Sequence, residues 1–595
     1  MSEDPAGADS TGSSAGTGGS GVDDGGPSAD ATGVSGPDKP RVLGIEGTAW
    51  AASAAVYDAA TDEVTIETEA YEPDSGGIHP REAAEHMGEY VPVVVERALE
   101  HARATARSDS SGAASTDDVG GSASTDDDPA IDAVAFSRGP GLGPCLRIAA
   151  TAARAVAQRY DVPLVGVNHM VAHLEIGRHR SGFEAPVCLN ASGANAHVLA
   201  YRNGRYRILG ETMDTGVGNA IDKFTRHLGW RHPGGPKVEA KAREGEYVDF
   251  PYVVKGMDFS FSGLSSAAAD AVDDGTPVAD VCCGLQETVF AMLTEVSERA
   301  LSLTGRDELV LGGGVAQNGR LREMLATMCE QRGASFFAPE PRFLRDNAGM
   351  IAVLGAKMYA AGDTLPLAES RVDPDFRPDE VPVTWPVAER DPERDGVGRP
   401  SDPVKGAEAT VSFEGNRVVK VREVRAYRHP ALDERLRHER TREEARLTSE
   451  ARRQGVPTPL VWDVDPPAGR LVLQHVGDAD LRDALTPDRV RTLARHLATI
   501  HEAGFVHGDP TTRNVRVTRE PGEGPGLHLV DFGLGYYSRD REDHAMDLHV
   551  LAQSLAGTAD DPEALRAAAE SAYRDAGDAQ VLDRLRDIEG RGRYQ

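Results

Sequence analysis

Two histidines in the segment "NHMVAHLEIG" (168–177) have the spacing of a metal-binding pair. His169 and His173 are four residues apart in an otherwise apolar run, so a helix places both imidazoles on one face. In a zinc protease the first histidine is followed directly by the glutamate that activates water. Here Met170 occupies that position, which argues against hydrolysis by this route.

A second set of residues has the spacing of a phosphotransfer site. The segment "VHGDPTTRNV" (506–515) places Asp509 and Asn514 five residues apart, and "LVDFGLG" (529–535) begins its DFG motif with Asp531. These residue types predict a carboxylate that faces the attacking hydroxyl (Asp509) and two oxygen ligands for Mg²⁺ (Asn514 and Asp531). Upstream, Lys420 ends the run "RVVK" and is placed to reach the phosphates of ATP, with Glu444 or Glu439 as its ion-pair partner.

Three glycine-containing stretches predict a nucleotide site nearer the start of the chain. They are "GIEGTAWAASAAV" (44–56), "NASGANAHV" (190–198) and "LVLGGGVAQNGRL" (309–321). Small residues let the backbone approach a phosphate or ribose closely, and the N-terminus of a helix favours negative charge.

The elements that must position these residues fall into two groups. Short strands alternate with helices from residue 41 to 361, which predicts an α/β domain. After a Pro-, Asp- and Arg-rich linker (363–403), a second domain (404–595) begins with strands and a strongly charged helix or helix pair. Residues 1–38 are expected to be a disordered tail that is neither a signal peptide nor a membrane span, and the acidic segment 108–130 a loop insertion.

The charge balance indicates a saline habitat rather than a function. The chain has 595 residues, a formal net charge of −31 and only eight lysines among 64 basic residues. Such a carboxylate-rich surface is typical of salt-adapted proteins and argues against loose electrostatic binding of nucleic acid. The five cysteines form no CxxC pair, so we expect a reduced, cytoplasmic protein.

Residues 41–361 resemble the universal tRNA threonylcarbamoyladenosine synthase family. The resemblance rests on "SRGPGLGPCLRIAATAARAVA", "GVNHMVAHLEIG", "GNAIDKFTRHLG", "HPGGPKVE" and "LGGGVAQN". It implies a two-lobed actin/Hsp70-like ATPase fold and one ion, Fe or Zn, held by His169, His173 and Asp346. It also implies substrate contacts from Asn190, Ala191, Ser192, Gly193, Ala194, Asp222, Gly235, Glu239 and Asn318. The family commonly has tyrosine where this chain has Asn190, which leaves open whether this position provides a metal ligand.

Residues 404–595 resemble the small atypical kinase subunit of the KEOPS complex. The match rests on "YRHPALDERLRHERTREEARL", "HGDPTTRNV" and "DFGLGYYS…EDHAMDLHVL". It implies a small α+β kinase-like domain that binds Mg and ATP and acts largely as an ATPase. No G-x-G-x-x-G precedes Lys420, Gly508 stands where kinases have the arginine of HRD, and Pro510 replaces an apolar family residue.

Together the two resemblances predict a bifunctional enzyme of tRNA modification. It is expected to transfer a threonylcarbamoyl group from threonylcarbamoyl-AMP to N6 of adenosine 37, in tRNAs that read codons beginning with A. The kinase or ATPase domain would support the transfer, with tRNA, ATP and other KEOPS subunits as partners and no membrane. The alternatives are a Ser/Thr protein kinase with a nucleotide-binding regulatory half and a metalloprotease.

Overall fold

The computed structural model describes residues 39–71, 78–112, 129–388, 403–518 and 526–591. The predicted tail (1–38), residues 113–128 of the predicted insertion and residues 389–402 of the predicted linker lie outside the described residues. Within the described ranges, no helix combines the length and the apolar composition needed to cross a membrane.

The first lobe is built around one five-stranded sheet. Its elements are β1 (Arg41–Glu46), β2 (Ala51–Asp58), β3 (Glu63–Ala70), α1 (Pro80–Gly112), β4 (Ala133–Gly139), α2 (Gly143–Tyr160), β5 (Leu164–Asn168) and α3 (His169–Ser181). The strand order is β3-β2-β1-β4-β5, with β1, β4 and β5 parallel and β2 and β3 forming an antiparallel hairpin. The central strand β1 is buried along almost its whole length, as its apolar sequence requires.

The second lobe repeats this strand order. Its elements are β6 (Val187–Ala191), β7 (Ala196–Arg202), β8 (Arg205–Glu211), α4 (Val217–His227), α5 (Gly235–Ala242), β9 (Val254–Lys255), β10 (Asp258–Phe259), α6 (Ser262–Asp273), α7 (Val278–Thr304), β11 (Glu308–Gly312), α8 (Gly319–Arg332) and β12 (Ser335–Phe337). The sheet runs β8-β7-β6-β11-β12, an antiparallel meander followed by two parallel strands, as in the first lobe. The described residues therefore form the predicted α/β domain, in the two-lobed arrangement that the family resemblance implied.

Helix α9 (Ala348–Ala360) returns from the second lobe to the first and packs on β1, β2 and β4. Together with α3 it fills the space between the two sheets, where one apolar cluster combines Val171 and Ile351 with Val310 of the second sheet. Residues 363–388, part of the predicted linker, lie against both lobes, since Val383 N–H also donates to the Gly204 carbonyl of the second lobe over 2.9 Å. Asp373 N–H donates to the Arg138 carbonyl over 2.8 Å, and Trp385 is buried.

The C-terminal part contains a second kind of sheet. Its elements are β13 (Val404–Lys405), β14 (Ala409–Glu414), β15 (Arg417–Arg422), α10 (Pro430–Arg453), β16 (Val461–Asp465), β17 (Arg470–Gln474), β18 (Ala479–Asp480), α11 (Pro487–Glu502), β19 (Phe505–Val506), β20 (Val515–Val517), β21 (Leu527–Leu529), β22 (Tyr536–Tyr537), α12 (Arg541–Thr558), α13 (Pro562–Ala576) and α14 (Gln580–Arg591). Strands β13 to β17 form an antiparallel sheet in the order β13-β14-β15-β17-β16, and the strongly charged segment is the single helix α10. Helices α11 to α14 surround a separate apolar core.

The C-terminal part packs on the second lobe through backbone and ionic contacts. Gly256 N–H donates to the Gly508 carbonyl over 2.8 Å, and Lys255 Nζ lies 2.6 Å from Asp543. The predicted phosphotransfer segment thus begins at the boundary between the two parts.

The close packing of α9 on β1 leaves no room for a side chain at Gly44, which can be tested by substitution. A Cβ atom at this position would lie 2.5 Å from the Ala348 carbonyl oxygen and 2.7 Å from the Ala352 nitrogen, both of which are backbone atoms that cannot turn aside. We expect Gly44→Ala to lower the free energy of unfolding by about 1–3 kcal/mol, measured by denaturant titration followed by circular dichroism.

The matched control is Gly88→Ala in helix α1, where an added Cβ would meet nothing within 4 Å. This substitution is expected to stabilise the helix by about 0.5–1 kcal/mol, because alanine has the higher helix propensity. Equal effects of the two changes would contradict the packing argument.

Candidate metal centre and phosphotransfer site

The candidate metal centre forms where parallel strands of both sheets end. Glu46 is the last residue of β1, His169 follows β5 directly, and Gly312 ends β11. The carboxyl ends of parallel strands are where α/β sheets place their ligands, because the following segments diverge there and leave a crevice. Topology thus brings residues from distant parts of the chain to one place.

Two imidazoles and one carboxylate converge at the centre of this crevice. The His169 and His173 rings stand one helical turn apart, with their centroids 4.8 Å apart. Their Nε2 atoms lie 3.3 and 3.4 Å from Oδ1 of Asp346, which precedes α9. One ligand atom from each residue lies within 4.8 Å of the other two, so the three predicted residues could hold a metal ion. The donor set suits Fe or Zn and leaves coordination positions open for a substrate.

Glu46 orients the first histidine of the pair. Its buried carboxylate lies 3.1 Å from His169 Nδ1, accepts from Thr48 N–H over 2.8 Å and also accepts from the Ser137 hydroxyl. A carboxylate on Nδ1 fixes the tautomer that points Nε2 at the ligand site. The stretch "GIEGTAWAASAAV" suggested a nucleotide site, but sequence reasoning gave Glu46 no orienting role, because nothing local connects residue 46 with residue 169.

The electrostatics of this crevice favour a cation. Burial would lower the pKa of His169, but the carboxylates of Glu46 and Asp346 outweigh burial and raise it to about 10. Burial would likewise raise the pKa of Asp346, and the two histidines lower it instead. Two carboxylates therefore create a negative potential at buried imidazoles, which is what a bound metal ion requires.

Asn190 lies between the candidate metal centre and the glycine-rich strand ends of the second sheet. Its side chain is fully buried, its Nδ2 lies 3.7 Å from Met170 Sδ, and its Oδ1 has no hydrogen-bond partner among the described residues. A Cβ on Gly313 would lie 2.6 Å from this oxygen and 2.3 Å from the Ala191 carbonyl, and the φ angle of +85° also favours glycine. The predicted phosphate segment therefore adjoins the helix that carries His173.

The other predicted substrate residues of the first domain line the second lobe. Ser192, Gly193, Ala194 and Asn195 form a tight turn, in which Ser192 N–H donates to the Asn195 carbonyl over 2.9 Å. The start of α4 packs on this turn, since Asn219 N–H donates to the Gly193 carbonyl over 2.9 Å.

Helices α4, α5 and α8 bring the remaining predicted residues near one another in pairs. Asp222 accepts from Gly234 N–H over 2.7 Å, directly before Gly235, the first residue of α5. Glu239 accepts from Gly319 N–H over 3.1 Å, and the adjacent Asn318 caps α8. The carboxylates of Asp222 and Glu239 thus lie on the neighbouring helices α4 and α5 of the second lobe.

The predicted phosphotransfer residues converge in the C-terminal part. Lys420 Nζ lies 3.0 Å from Glu444 and 2.7 Å from Asp531, while Glu439 is largely exposed and pairs with Arg435. Asn514 Nδ2 donates to Asp509 Oδ2 over 2.9 Å. A cavity of about 730 Å³ is lined by Lys420, Glu444, Asp509, Asn514 and Asp531, a volume suited to a nucleotide.

Asp509 carries a perturbed carboxyl group. Burial raises its pKa to about 6, Asp531 and Glu408 act in the same direction, and Arg299 and Asn514 oppose them. Asp531 differs, because Lys420 and Arg422 outweigh burial and hold its pKa below the usual range. The two carboxylates therefore have different environments, as expected of groups with different roles.

Asp547 holds the predicted phosphotransfer segment (506–515) in place, and sequence reasoning did not assign it. Its buried carboxylate accepts from His507 N–H over 2.7 Å and Gly508 N–H over 2.8 Å, and it lies 3.0 Å from His501 Nε2. The only local signal was its place in the quoted segment "EDHAMDLHVL", because the backbone groups it binds are about 40 residues away.

The orienting role of Glu46 predicts a specific loss of metal affinity. Glu46→Gln keeps the shape of the side chain but removes the charge that favours Nε2 of His169 as ligand. We expect metal affinity to fall by roughly 10- to 100-fold, measured by competition with a chelator of known affinity. The control is His179→Ala on the same helix, whose imidazole contacts Asp62 outside the centre. Unchanged affinity in Glu46→Gln would contradict the assignment.

The anchoring role of Asp547 predicts a large loss of stability. Asp547→Ala leaves two buried backbone N–H groups without their charged acceptor, so we expect the C-terminal part to lose roughly 3 kcal/mol or more. The measurement is thermal unfolding of the full chain, with Asp575→Ala, on the exposed face of α13, as control. A melting curve identical to wild type would show that these bonds contribute little.

Known proteins resemble the chain over almost its whole length. Residues 125–353 match the family model of TsaD, described as tRNA N6-adenosine threonylcarbamoyltransferase. The chain is 69% identical to a bifunctional tRNA threonylcarbamoyladenosine biosynthesis protein of Haloarcula marismortui over 93% of this chain and 100% of that protein. It is 69% identical to the protein of that name in Halobacterium salinarum and 48% identical to the one in Methanospirillum hungatei, in each case over 93% of this chain and 99% of the relative. The chain therefore belongs to the family of bifunctional tRNA threonylcarbamoyladenosine biosynthesis proteins, in which a TsaD-type domain is fused to a second domain.

Proposed function

We propose that the first domain transfers the threonylcarbamoyl group from threonylcarbamoyl-AMP to N6 of adenosine 37 in tRNAs that read codons beginning with A. The observation that carries this proposal is the contact between the metal-ligating helix and the glycine-rich strand ends. A Cβ on Gly312 would lie 3.4 Å from the His173 carbonyl and 3.7 Å from Asn190 Oδ1. A substrate phosphate at the strand ends would therefore lie beside the helix that carries the imidazole pair.

The adenylate half of the substrate fits the second lobe. Carboxylates accept hydrogen bonds from ribose hydroxyls, which is the role we assign to Asp222 and Glu239. Gly235 and Asn318 lie beside them at the starts of α5 and α8, and the segment 190–194 faces the phosphate. When bound at His169, His173 and Asp346, Fe or Zn would supply Lewis-acid polarisation of the substrate.

The chemistry needs no further energy source at this site. The N6 amine of the adenosine attacks the carbonyl carbon of the mixed anhydride, the carbon–oxygen bond to phosphate breaks, AMP leaves with the electron pair, and the proton lost from N6 passes to solvent. The residues of this chain bind and orient the two substrates, which is a large part of catalysis for a reactive acyl donor. Met170 in place of a water-activating glutamate fits transfer rather than hydrolysis, so a metalloprotease is disfavoured.

We propose that the C-terminal part is a small atypical kinase-like domain that binds MgATP. Asp509 is the acceptor for the proton of the nucleophile, Asn514 and Asp531 are the Mg²⁺ ligands, and the Lys420–Glu444 pair binds the phosphates. In this proposal the domain hydrolyses ATP to support the transfer within a KEOPS complex in the cytoplasm. A signalling kinase with a regulatory half is disfavoured, because helix α7 lies across the cleft in front of Asp509, where a protein substrate would have to dock.

The proposal predicts the modification state of cellular tRNA. Where a His173→Ala chain replaces the wild-type chain, threonylcarbamoyladenosine is expected to fall to background, because one of the two imidazoles is lost. Asp509→Ala is expected to lower it as well. The measurement is mass spectrometry of nucleosides from total tRNA, with His179→Ala as the control that keeps normal levels. Unchanged threonylcarbamoyladenosine in His173→Ala would refute the proposal for the first domain.

A further inference from the structure

The ATP cavity of the C-terminal domain is completed by residues of the second lobe. Its wall includes Arg299, Ser302 and Leu303 of helix α7, together with Met257. The C-terminal domain thus does not enclose its own candidate nucleotide site.

Arg299 projects from α7 to the catalytic aspartate. Its Nη1 atom lies 2.9 Å from Asp509 Oδ2, and its Nη2 atom contacts Glu408 in the loop between β13 and β14. The Arg299 Nε atom donates to Glu295 over 3.2 Å, and the Arg299 side chain is only 9% exposed. The guanidinium is therefore held in one position, between the proton acceptor and the loop that covers the phosphates in kinases.

The other cations that line the cavity have different partners. Lys420 contacts Glu444 and Asp531. Arg516 pairs with Asp480, Arg513 lies 3.7 Å from the same carboxylate, and Arg513 also donates to the Ser302 carbonyl. Among the described residues, Arg299 is the cation whose guanidinium contacts Asp509.

Phosphoryl transfer builds up negative charge beside the residue that accepts the nucleophile's proton. An arginine supplied by a neighbouring domain or protein stabilises this charge in GTPases and raises the rate by roughly 10³- to 10⁵-fold. Arginine suits the task because its planar guanidinium stays charged and contacts two oxygens at once. Arg299 has the two features of such an arginine. It lies at Asp509, the proposed proton acceptor, and it comes from a different domain.

We propose that Arg299 is an arginine finger, which the first domain inserts into the ATP site of the second domain to stabilise the γ-phosphoryl group during hydrolysis. The oxygen of water bonds to the γ-phosphorus, the bond from that phosphorus to the β–γ bridging oxygen breaks, and ADP leaves with the electron pair. The water proton passes to Asp509. This inference rests on the proposed MgATP site and adds that hydrolysis belongs to the fused pair of domains.

The test uses the full chain and compares Arg299→Ala, Arg299→Lys and Arg202→Ala. Release of phosphate from MgATP gives the turnover rate, and calorimetry gives the affinities for ADP and for ATP. We expect Arg299→Ala to lower turnover by roughly a hundredfold or more while the ADP affinity stays within about twofold of wild type. Arg299→Lys is expected to recover part of the turnover, because it restores the charge but not the planar pair of donors.

Arg202→Ala controls for weakened docking of the domains. Arg202 contacts Asp560 across the same boundary over 3.2 Å, away from the cavity, so this variant is expected to keep wild-type turnover. Wild-type or faster turnover in Arg299→Ala would overturn the inference. An equal loss of turnover and ADP affinity would also overturn it, because it would indicate a structural role. A wild-type chain that hydrolyses no more ATP than Asp509→Ala would refute the proposed MgATP site itself.

Discussion

The docking of the two domains depends on two carboxylates buried on helix α7. Glu295 and Glu298 are each about 1% exposed, and an isolated charge at such depth would cost several kcal/mol. Their partners come largely from the C-terminal domain: Arg428 lies 2.7 Å and Arg440 3.1 Å from Glu295, and Arg425 lies 3.5 Å from Glu298. The buried carboxylates of the first domain therefore depend on arginines of the C-terminal domain for neutralisation.

The same charge network sets the position of the proposed phosphotransfer residues. Arg440 and Arg299 both contact Glu408, so the β13–β14 loop of one domain and helix α7 of the other share a carboxylate. Arg299 then reaches Asp509 from a helix whose neighbouring turn is already fixed by Glu295. A pair of domains that met through exposed charges alone would not hold a guanidinium with this precision, because exposed ion pairs contribute little.

Local patterns in the sequence predicted the parts of each site that lie close together in the chain. His169 and His173 share one helix face, and Asp509, Asn514 and Asp531 lie within two adjoining segments, so spacing alone indicated their chemistry. The α/β character of the first domain followed from alternating strands and helices, whereas its two-lobed form was implied only by the resemblance to a family. Resemblance to a family added Asp346, which is 173 residues from His173.

The residues that sequence reasoning missed act across long separations. Glu46 orients a histidine 123 residues away, and Arg299 contacts an aspartate 210 residues away. Neither residue has a type or a neighbourhood that marks its role, because that role exists only once the sheets have brought the strand ends together. The choice of Glu444 over Glu439 also required the structure, since both lie on α10 and only the packing of the helix decides which carboxylate faces Lys420.

The contrast between the surface and the domain boundary explains how an acidic chain keeps a precise interface. At the ionic strength that a net charge of −31 suggests, interactions between exposed charges are screened beyond a few ångströms. Ion pairs that are buried and in direct contact are screened much less, because salt does not enter between them. The arginines that bind Glu295 and Glu298 are nearly all buried, so their contacts persist where surface pairs lose most of their energy. A boundary built from buried pairs therefore keeps Arg299 at Asp509 in a solvent that weakens exposed electrostatic contacts.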